Sequence, residues 1–528
     1  MTRPQMIDRL GARGGDWDII VIGGGATGAG IAIDAASRGY HTLLFERGDF
    51  GKGTSSRSTK LVHGGVRYLE QGNIALVMEA LRERGILRRN APHIVTDLAF
   101  IVPNYDWWEA PFYGLGLKIY DILSGKYGFG PSRILSRQET LDRLPTLNPA
   151  GLRGGVIYYD GQFDDARLLI HLVATAAEQG ATLLNYCPVI AITRGEDGFV
   201  NGVVARDEET GREFRATAKV VVNAAGPFAD GVRRLADPSI DPILSPSQGI
   251  HLVFDRSFLP GRSAIMVPHT SDGRVMFAIP WHGHTLAGTT DTAIAEAVAE
   301  PNAQEQEIEF ILQTAGRYLA KAPSRADVLS VFTGIRPLVR SAGSANTAAL
   351  SRGHTIHIDE SGLLTVAGGK WTTYRNMAED CVNHAALLGK LPDRECATKN
   401  LRIHGFHPRA EEFGELAVYG SDAPEIQELM RADPELAQPL IHGLPYVGAE
   451  VIWAVRTEMA RTVEDVLCRR TRALFLNANA ALEAAPKVAS LIARELGRDA
   501  AWRAAQIADF EATARHFLLP PDPAGDRP

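Results

Sequence analysis

The sequence predicts an α/β protein: a domain built on a parallel β-sheet carries an inserted mixed β-sheet and precedes a mostly α-helical C-terminal domain. The first observation is a short β-branched apolar run, Asp18–Ile22, which is typical of a buried parallel strand. A glycine turn, a helix near 28–38 and a second strand at 40–45 follow it and form a β-α-β unit. Strand-like segments dominate from about 240 to 360, and the pattern is largely helical beyond Asp393.

The remaining apolar periodicities place further elements along the chain. They predict helices over 73–93 and 166–179, and a third helix that starts at Thr372. Further strands are predicted at 182–193, 199–206, 220–223, 251–254, 275–279, 285–288, 355–358 and 363–367. We therefore predict an N-terminal arm over 1–16, a region containing both sheets over 17–395, and a helical C-terminal domain over 396–528.

Composition and charge exclude several kinds of protein. The 528 residues are 45% hydrophobic and 22% charged, as in ordinary globular proteins. A net charge of −7 argues against nucleic-acid binding, while a local basic pocket for a small anion remains compatible with it. The four cysteines lie far apart and form no Cys-x-x-Cys pair, so we expect neither a disulfide framework nor a metal site.

The apolar segments are too short to suggest a membrane span. No run approaches the roughly 18 consecutive apolar residues that a transmembrane helix needs. The N-terminal residues contain arginines but no apolar core of a signal peptide. We therefore expect a cytoplasmic protein that meets a membrane, if it does so, only from the side.

A glycine-rich turn follows the first predicted strand. Gly23, Gly25 and Gly28 have the spacing of a dinucleotide-binding turn, and Glu46 ends the next predicted strand. The first glycine allows a tight turn, the second allows close approach of a pyrophosphate, and the third allows helix and strand to pack closely. A glutamate at position 46 would bind both ribose hydroxyls. An αβ turn without a ligand is the alternative interpretation.

The segment Thr54–Tyr68 favours FAD over NAD as the dinucleotide. It lies close to the glycine turn in sequence and is dense in hydroxyl, glycine and basic residues. Such a loop is suited to an extended cofactor that reaches from a pyrophosphate to an isoalloxazine ring. The alternative on composition alone is a polar surface loop.

A second glycine turn follows the predicted strand at 363–367. Gly368, Gly369 and Lys370 precede a predicted helix start, which is a suitable place for negative charge. A reduced flavin carries such charge at its N1–C2=O edge. Asn223–Gly226 and Gly288–Asp291 are further glycine-containing turns after predicted strands. Each is weak evidence for a cofactor site alone, and their occurrence together in one chain strengthens it.

Five strings together resemble one family of flavoproteins. They are GGGATGAG, TSSRSTKLVHGGVRYLEQG, PWHGHTLAGTTDT, TGIRPL and GGKWTTYR, in that order. They are similar to the motifs of the FAD-dependent glycerol-3-phosphate dehydrogenases, over about residues 17–380. The resemblance implies a glutathione-reductase-like FAD-binding domain, a mixed β-sheet substrate domain and a helical cap domain. It also implies oxidation of sn-glycerol 3-phosphate to dihydroxyacetone phosphate, with electrons passed to membrane quinone, and it leaves a homodimer open.

The same resemblance assigns roles to individual residues. It implies that four cations hold the substrate phosphate: Arg67, Arg336, Arg352 and Lys370. Tyr68 would donate a hydrogen bond to the substrate, and His251 is the leading proton acceptor, with His63 and Lys370 as rivals. The predicted cofactor-binding residues are Gly23, Gly25, Ala26, Thr27, Gly28, Glu46, Ser55, Ser56, Lys60, His63, Val189, Ala225, Gly226, Asp291, Gly369, Lys370, Thr372 and Thr373.

Other functions compete with this one. An amine or 2-hydroxy-acid oxidase of the same superfamily would bind a carboxylate, which needs fewer cations. A glycerol-3-phosphate oxidase would pass electrons to oxygen. A binding or sensing protein that holds FAD structurally is the alternative from a different class. The sequence also departs from the family at 339–345, where Val-Arg-Ser-Ala-Gly-Ser-Ala replaces an acid-rich stretch, and this puts the access of the electron acceptor in question.

An aromatic segment over 104–130 predicts contact with an anionic lipid surface. It contains Trp107, Trp108, Phe112, Tyr113, Leu115, Leu117, Ile119 and Tyr120, together with Lys118 and Lys126. Aromatic rings favour the headgroup level of a bilayer, and lysines favour anionic lipid. The alternative is that these rings pack inside the protein. Because Gly114 and Gly116 weaken a helix, we expect a short helix followed by a loop.

Overall fold

The computed structural model describes residues 1–66, 69, 72–268, 270, 275–340 and 353–519. Within these ranges two β-sheets lie beside a helical C-terminal region. The strands are β1 Asp16–Ile22, β2 Thr42–Phe45, β3 Leu61–Val62, β4 Thr96–Asn104, β5 Arg133–Ser136, β6 Gly154–Gln162, β7 Thr182–Leu184, β8 Val189–Arg194, β9 Val200–Arg206, β10 Glu213–Asn223, β11 Ser247–Asp255, β12 Ser263–Val267, β13 Met276–Trp281, β14 His284–Gly288, β15 Thr292–Ala293, β16 Val328–Arg336, β17 His354–Ile358 and β18 Leu364–Gly368.

Helices cover the faces of the sheets and make up most of the C-terminal region. They are Arg3–Ala12, Ala26–Ser37, Ile74–Asn90, Glu109–Ser124, Arg137–Arg143, Asp165–Glu178, Ala229–Ala236, Glu305–Tyr318, Tyr374–Leu388, Ala423–Ala432, Gly448–Thr457, Ala473–Leu476, Ala478–Leu496 and Ala500–Ala514. A π-helix spans Asp465–Arg470. The α/β class with a helical C-terminal domain is confirmed.

The first sheet has the order β17-β18-β10-β1-β2-β7, and its strands from β18 to β7 run parallel. β1 and β2 at the centre of this sheet are nearly continuous apolar runs that are buried in the core, as is typical of parallel strands covered on both faces. Parallel strands end at one edge, so the turns after β1, β2, β10 and β18 lie together. This edge collects Gly23, Glu46, Ala225 and Gly369 from four distant parts of the sequence.

The second sheet has the order β15-β11-β14-β13-β12-β4-β6-β3, with β16 on β11 and β5 on β6. Among its described pairs, β4 and β12 run parallel and the others antiparallel, so the predicted mixed sheet is confirmed. Strands β11 and β16 pair along nearly their whole length, with Ser247 opposite Arg336 and His251 opposite Phe332. This register places two polar side chains of the site on neighbouring strands.

Two segments differ from the sequence-based expectation. Residues 1–16, predicted as an arm, contain the helix Arg3–Ala12, which Thr2 caps and which buries Met6 and Leu10. The helix Glu109–Ser124 is continuous through Gly114 and Gly116, so the prediction of a short helix followed by a loop is wrong. Packing of its buried face outweighs the roughly 1 kcal/mol that each glycine costs relative to alanine.

No helix within the described ranges combines the length and the apolarity needed to cross a bilayer.

Candidate active site

The turn after β1 has no room for side chains. Gly23 has a φ of +111°, and a Cβ atom there would lie 2.6 Å from the carbonyl oxygen of Ala224. A Cβ atom on Gly28 would lie 1.9 Å from the carbonyl oxygen of Gly23, which no side chain can accommodate. At Gly25 the nearest atom is Oγ of Ser55, at 3.0 Å. The backbone of this turn is therefore open to a ligand on one side and tightly packed on the other.

The helix Ala26–Ser37 begins at this turn with Gly25 at its N-cap. The N–H of Ala26 donates to Oγ of Ser55 at 2.9 Å. The N–H groups of Thr27 and Gly28 belong to the first turn, where the helix itself offers no carbonyl partner. Together with the helix dipole, they make this end of the helix suitable for a pyrophosphate.

Glu46 lies at the end of β2, directly beside the glycine turn. Its carboxylate accepts hydrogen bonds from the N–H groups of Gly24 at 2.6 Å and Gly48 at 2.8 Å. Burial raises the pKa of Glu46, and these two hydrogen bonds oppose that rise. A carboxylate offers about four lone-pair sites, so two remain for ribose hydroxyls.

The second glycine turn joins the first through the polar loop. Gly368 and Gly369 have φ values of +73° and +79°, as a sharp turn after β18 requires. The indole N–H of Trp371 donates to the carbonyl oxygen of Ser55 at 2.8 Å. The N–H of His63 donates to Oγ1 of Thr372 at 3.2 Å. The first glycine turn, the polar loop that contains Ser55 and His63, and the second glycine turn therefore form one continuous surface.

This surface borders a cavity of about 320 Å³. Seven of the predicted site residues line it: His63, His251, Asp291, Arg336, Gly369, Lys370 and Thr372. Its other walls include apolar side chains of the mixed sheet, among them Phe100, Met266 and Phe277. A mostly apolar chamber with a few convergent polar groups is suited to a planar ring and a small polar substrate.

Arg336 ends β16 at the cavity. Its guanidinium donates to the carbonyl oxygens of Thr290 at 2.9 Å and Gln248 at 3.3 Å, and to Oγ1 of Thr289 at 3.2 Å. It also lies 3.3 Å from the carboxylate of Asp291. Asp291, predicted as a cofactor ligand, is therefore an ion-pair partner of Arg336. The arginine is held in one orientation while 26% of its side chain stays exposed to the cavity.

His251 lies on β11 and is almost completely buried. Its Nε2 is 2.9 Å from Oγ1 of Thr59, and its ring stacks on Phe332 with centroids 4.8 Å apart. Burial, with the positive charges of Lys60 and Arg336, lowers the pKa of His251 well below its ordinary value. The ring is therefore neutral near pH 7 and can accept a proton.

Lys60 does not reach the cavity wall. Its ammonium group is fully buried and bonds the carboxylate of Asp165 at 2.7 Å and the carbonyl oxygen of Ser56 at 2.7 Å. Burial lowers the pKa of Lys60 to about 8, although Asp165 opposes the shift. The prediction that Lys60 contacts the cofactor is therefore wrong for its amino group, because the sequence cannot distinguish a lining lysine from one in an internal ion pair.

Other predicted residues lie near the sheet edge without lining the cavity. Ala225 and Gly226 follow β10, and the Ala225 N–H donates to Oδ1 of Asn223 at 3.2 Å. Thr373 is buried and donates its hydroxyl to the carbonyl oxygen of Lys370 at 3.3 Å. Val189 begins β8 and pairs with Ala205. Arg67, Tyr68 and Arg352, and residues 341–345 of the altered stretch, lie outside the described residues.

Three residues of the site were not predicted. Thr59 contacts His251, Phe332 stacks on it, and Asp165 holds the loop that carries Thr59. Thr59 lies inside the hydroxyl-rich string at 54–68, so attention to that string could have identified it. Phe332 and Asp165 carry no local signal, since one is an ordinary strand residue and the other begins a helix.

Family models match most of the chain. Residues 18–375 match the model of the FAD dependent oxidoreductases. Residues 396–503 match the model described as the C-terminal domain of alpha-glycerophosphate oxidase. With the two glycine turns, Glu46 and the cavity, this match identifies FAD as the cofactor, and the geometry of the turns fits it.

Individual relatives point to one enzyme family. The mitochondrial glycerol-3-phosphate dehydrogenase of Rattus norvegicus is 40% identical over 537 residues, covering 95% of this chain and 73% of the relative. Glycerol-3-phosphate dehydrogenase SDP6 of Arabidopsis thaliana, also mitochondrial, is 41% identical over 521 residues, covering 90% of this chain and 82% of the relative. The FAD complex of the Bacillus halodurans glycerol-3-phosphate dehydrogenase superposes with a TM-score of 0.80 at 32% identity, covering 98% of each chain. The chain belongs to the family of FAD-dependent glycerol-3-phosphate dehydrogenases.

Proposed function

We propose that the protein oxidises sn-glycerol 3-phosphate to dihydroxyacetone phosphate and passes the electrons to a membrane quinone. The observation that carries the first half is the convergence of Arg336, Lys370 and His251 on one cavity beside the two glycine turns. The substrate needs cations for its phosphate and a base for its hydroxyl, and these three side chains are of those types.

The cations meet the electrostatic demand of the phosphate. A phosphate monoester is close to a dianion at neutral pH, and removing it from water requires charged partners. Arg336 is held by backbone carbonyls, so binding costs it little conformational freedom. Lys370 also lines the cavity and adds a second positive charge. A substrate that carries a phosphate is thus favoured over one with a single carboxylate.

His251 supports the oxidation step. As the C2–H bond breaks, the hydroxyl proton of the substrate passes to neutral His251 and a carbonyl forms at C2. The bound FAD supplies the two-electron acceptor for the hydride. The apolar walls around Phe100 and Phe277 exclude water from this chamber.

The test is anaerobic addition of glycerol 3-phosphate to the purified holoprotein while the visible flavin absorbance is followed. We expect rapid bleaching with glycerol 3-phosphate and little with glycerol, because glycerol lacks the phosphate that the cations bind. Equal rates with the two compounds would contradict the assigned substrate.

The exposed face of the helix Glu109–Ser124 supports the second half of the proposal. Phe112, Leu115, Ile119 and Ile122 recur at helical spacing on that face, and Leu115 and Ile122 are 68% and 77% exposed. The opposite face buries Leu117 and Tyr120 in the core. A helix that is apolar on both faces needs an apolar partner on its outer side as well as its inner side.

We infer that this partner is the surface of an anionic bilayer. Trp107 precedes the helix and is 76% exposed, as suits the headgroup level. Lys118 and Lys126 are exposed beside the apolar face and would attract anionic lipid. Docking there would bring the protein to quinone dissolved in the membrane from the cytoplasmic side. Measuring quinone reduction against peroxide yield separates this acceptor from oxygen, and stoichiometric peroxide would favour an oxidase.

A further inference from the structure

We propose that Thr59 is a positioning residue that fixes the orientation of the His251 ring, and that a buried cluster of Asp165, Lys60 and Arg472 holds Thr59 in place. The inference builds on the proposed role of His251 as proton acceptor. It adds a positioning residue to the site. It also gives the C-terminal domain, through Arg472, an indirect role in holding that residue.

The ring of His251 is held from several sides. Its Nε2 meets Oγ1 of Thr59 at 2.9 Å, and Phe332 stacks on one face. A Cβ atom on Gly288 would lie 2.4 Å from Cδ2 of the ring, so strand β14 passes directly beside it. The remaining ring nitrogen, Nδ1, is buried and has no hydrogen-bond partner among the described residues. The contact of Nε2 with Thr59 is therefore the hydrogen bond that orients the ring.

The contact with Thr59 fixes the position of Nε2. A neutral imidazole carries its hydrogen on one nitrogen and a lone pair on the other. The threonine hydroxyl can donate or accept, so it can bond Nε2 in either tautomer. Thr59 thus holds the His251 ring in one orientation beside the cavity, which both residues line.

Thr59 is itself held through both of its neighbours. The carboxylate of Asp165 accepts from the N–H of Ser58 at 3.0 Å, from its hydroxyl at 2.7 Å, and from the ammonium group of Lys60 at 2.7 Å. Lys60 also adopts a φ of +64°, in the left-handed region that side chains disfavour. A conformation of this kind persists where the surroundings over-determine it. These contacts hold the backbone of residues 58–60 in one conformation, and this fixes the position of Thr59.

The third ion of the cluster comes from the C-terminal domain. Arg472 follows the π-helix and donates to the carboxylate of Asp165 at 2.7 Å. Asp165 and Lys60 are fully buried and Arg472 almost completely so, and ions in such a setting must stay paired. Trp281 and Phe475 lie within cation–π distance of both Lys60 and Arg472. The helical domain is therefore connected to His251 through a short series of contacts. Arg472 bonds Asp165, and Asp165 bonds Ser58 and Lys60. Thr59, which lies between these two residues, contacts His251.

The experiment compares Thr59→Val, which removes the hydroxyl, with Thr59→Ser, which keeps it. Single-turnover flavin bleaching by glycerol 3-phosphate is the main readout, because it counts only molecules that hold FAD. We expect Thr59→Val to lower kcat by about 10- to 100-fold with KM changed by less than about threefold. Thr59→Ser should restore kcat to within about threefold of the wild type.

Thr140→Val is the matched control. Thr140 is buried, and its hydroxyl donates to the backbone carbonyl of Ser136 at the start of the helix Arg137–Arg143, outside the lining of the cavity. The rate of this variant should match the wild type within about twofold. If Thr59→Val does not fold, Thr59→Ala takes its place and is judged by the same ratio of kcat to KM effects.

Two results would overturn the inference. An unchanged kcat in Thr59→Val would show that the working orientation of the His251 ring does not depend on Thr59. A raised KM with unchanged kcat would place Thr59 on the substrate instead. Failure of the proposed function is distinguishable, since then the wild-type flavin would not bleach with glycerol 3-phosphate at all.

Discussion

The two walls of the cavity are built in different ways. The wall formed by the parallel sheet is mainly backbone: Gly368 and Gly369 line the cavity, and the turn at Gly23 continues the same sheet edge beyond its lining. The wall formed by the mixed sheet consists of side chains, with His251 and Arg336 carried on the paired strands β11 and β16. The first wall is suited to holding a cofactor of constant shape, and the second to selecting a substrate and moving a proton.

This difference predicts separable failures. A change in the backbone wall should remove the cofactor and every activity that depends on it. A change in the side-chain wall should leave the cofactor bound and remove turnover. A change on the exposed helix, outside both walls, should spare both and affect the membrane alone. The four predictions below test this division.

The largest effect is expected for Gly25→Val. The new side chain would crowd Oγ of Ser55, 3.0 Å from the position of a Cβ atom, and would occupy the approach of the pyrophosphate. We expect purified protein without flavin colour and without measurable turnover. Gly231→Val is the control, because no atom lies within 4 Å of a Cβ atom there. Full FAD occupancy in Gly25→Val would mean that the backbone wall does not hold the cofactor.

His251→Asn should keep FAD and lower kcat by about 10²- to 10⁴-fold, the range for loss of a general base. The exposed His442 provides the control substitution, His442→Asn. The wild-type pH profile gives a second check. Because burial lowers the pKa of His251, the base stays neutral at pH 7 and is protonated only well below about 6.5. The rate should therefore hold as pH falls to 6.5 and decline only at lower pH.

An acid limb that is unchanged in His251→Asn would move the proton acceptor to His63 or Lys370, which line the same cavity. That result would keep the division between the walls but move the base from the mixed sheet to the loops of the FAD-binding edge.

Arg336→Ala should lower kcat/KM by about 10²- to 10³-fold, the order expected when a charged contact to phosphate is lost. FAD occupancy should be unchanged because Arg336 belongs to the side-chain wall. Arg206→Ala removes the same charge from an exposed surface pair with Glu208 and should have no effect. Loss of FAD in Arg336→Ala alone would show that the two walls are not independent.

The smallest effect on the chemistry is expected for Trp107→Ser combined with Phe112→Ser. Liposome association and quinone reduction should weaken roughly tenfold or more, while turnover with a soluble dye is retained. The matched control is Leu387→Ser with Leu388→Ser, two exposed apolar residues at the end of the helix Tyr374–Leu388. Loss of dye turnover together with quinone turnover would place Trp107 and Phe112 in the catalytic fold and contradict docking.

The backbone wall could be predicted well from local sequence. The strand Asp16–Ile22, the turn to Gly28 and Glu46 are close together in the chain, and their glycines are required by contacts within that short stretch. The second turn at Gly368–Lys370 was found for the same reason. The helix start was placed two residues late, at Gly28 instead of Ala26, since the glycine turn itself already forms the first helical turn.

The side-chain wall was predicted only through resemblance, and incompletely. Arg336 and His251 were assigned by motif, but nothing local distinguishes His251 from a structural histidine. Lys60 was misassigned because its partner, Asp165, is remote in sequence. The ion pair of Asp291 with Arg336 was not predicted, because it depends on how β15 and β16 flank β11.

By itself the sequence determined the α/β class, the glycine turns, Glu46 and hence a dinucleotide cofactor, because a backbone conformation that only glycine tolerates is specified by residues close together in the chain. The tertiary structure alone decided which polar side chains face the cavity and which are internal ion pairs. It also decided that the helix Glu109–Ser124 continues through Gly114 and Gly116 and leaves one apolar face exposed. The physical reason is that burial and charge pairing depend on contacts between distant segments, which no local pattern of residues encodes.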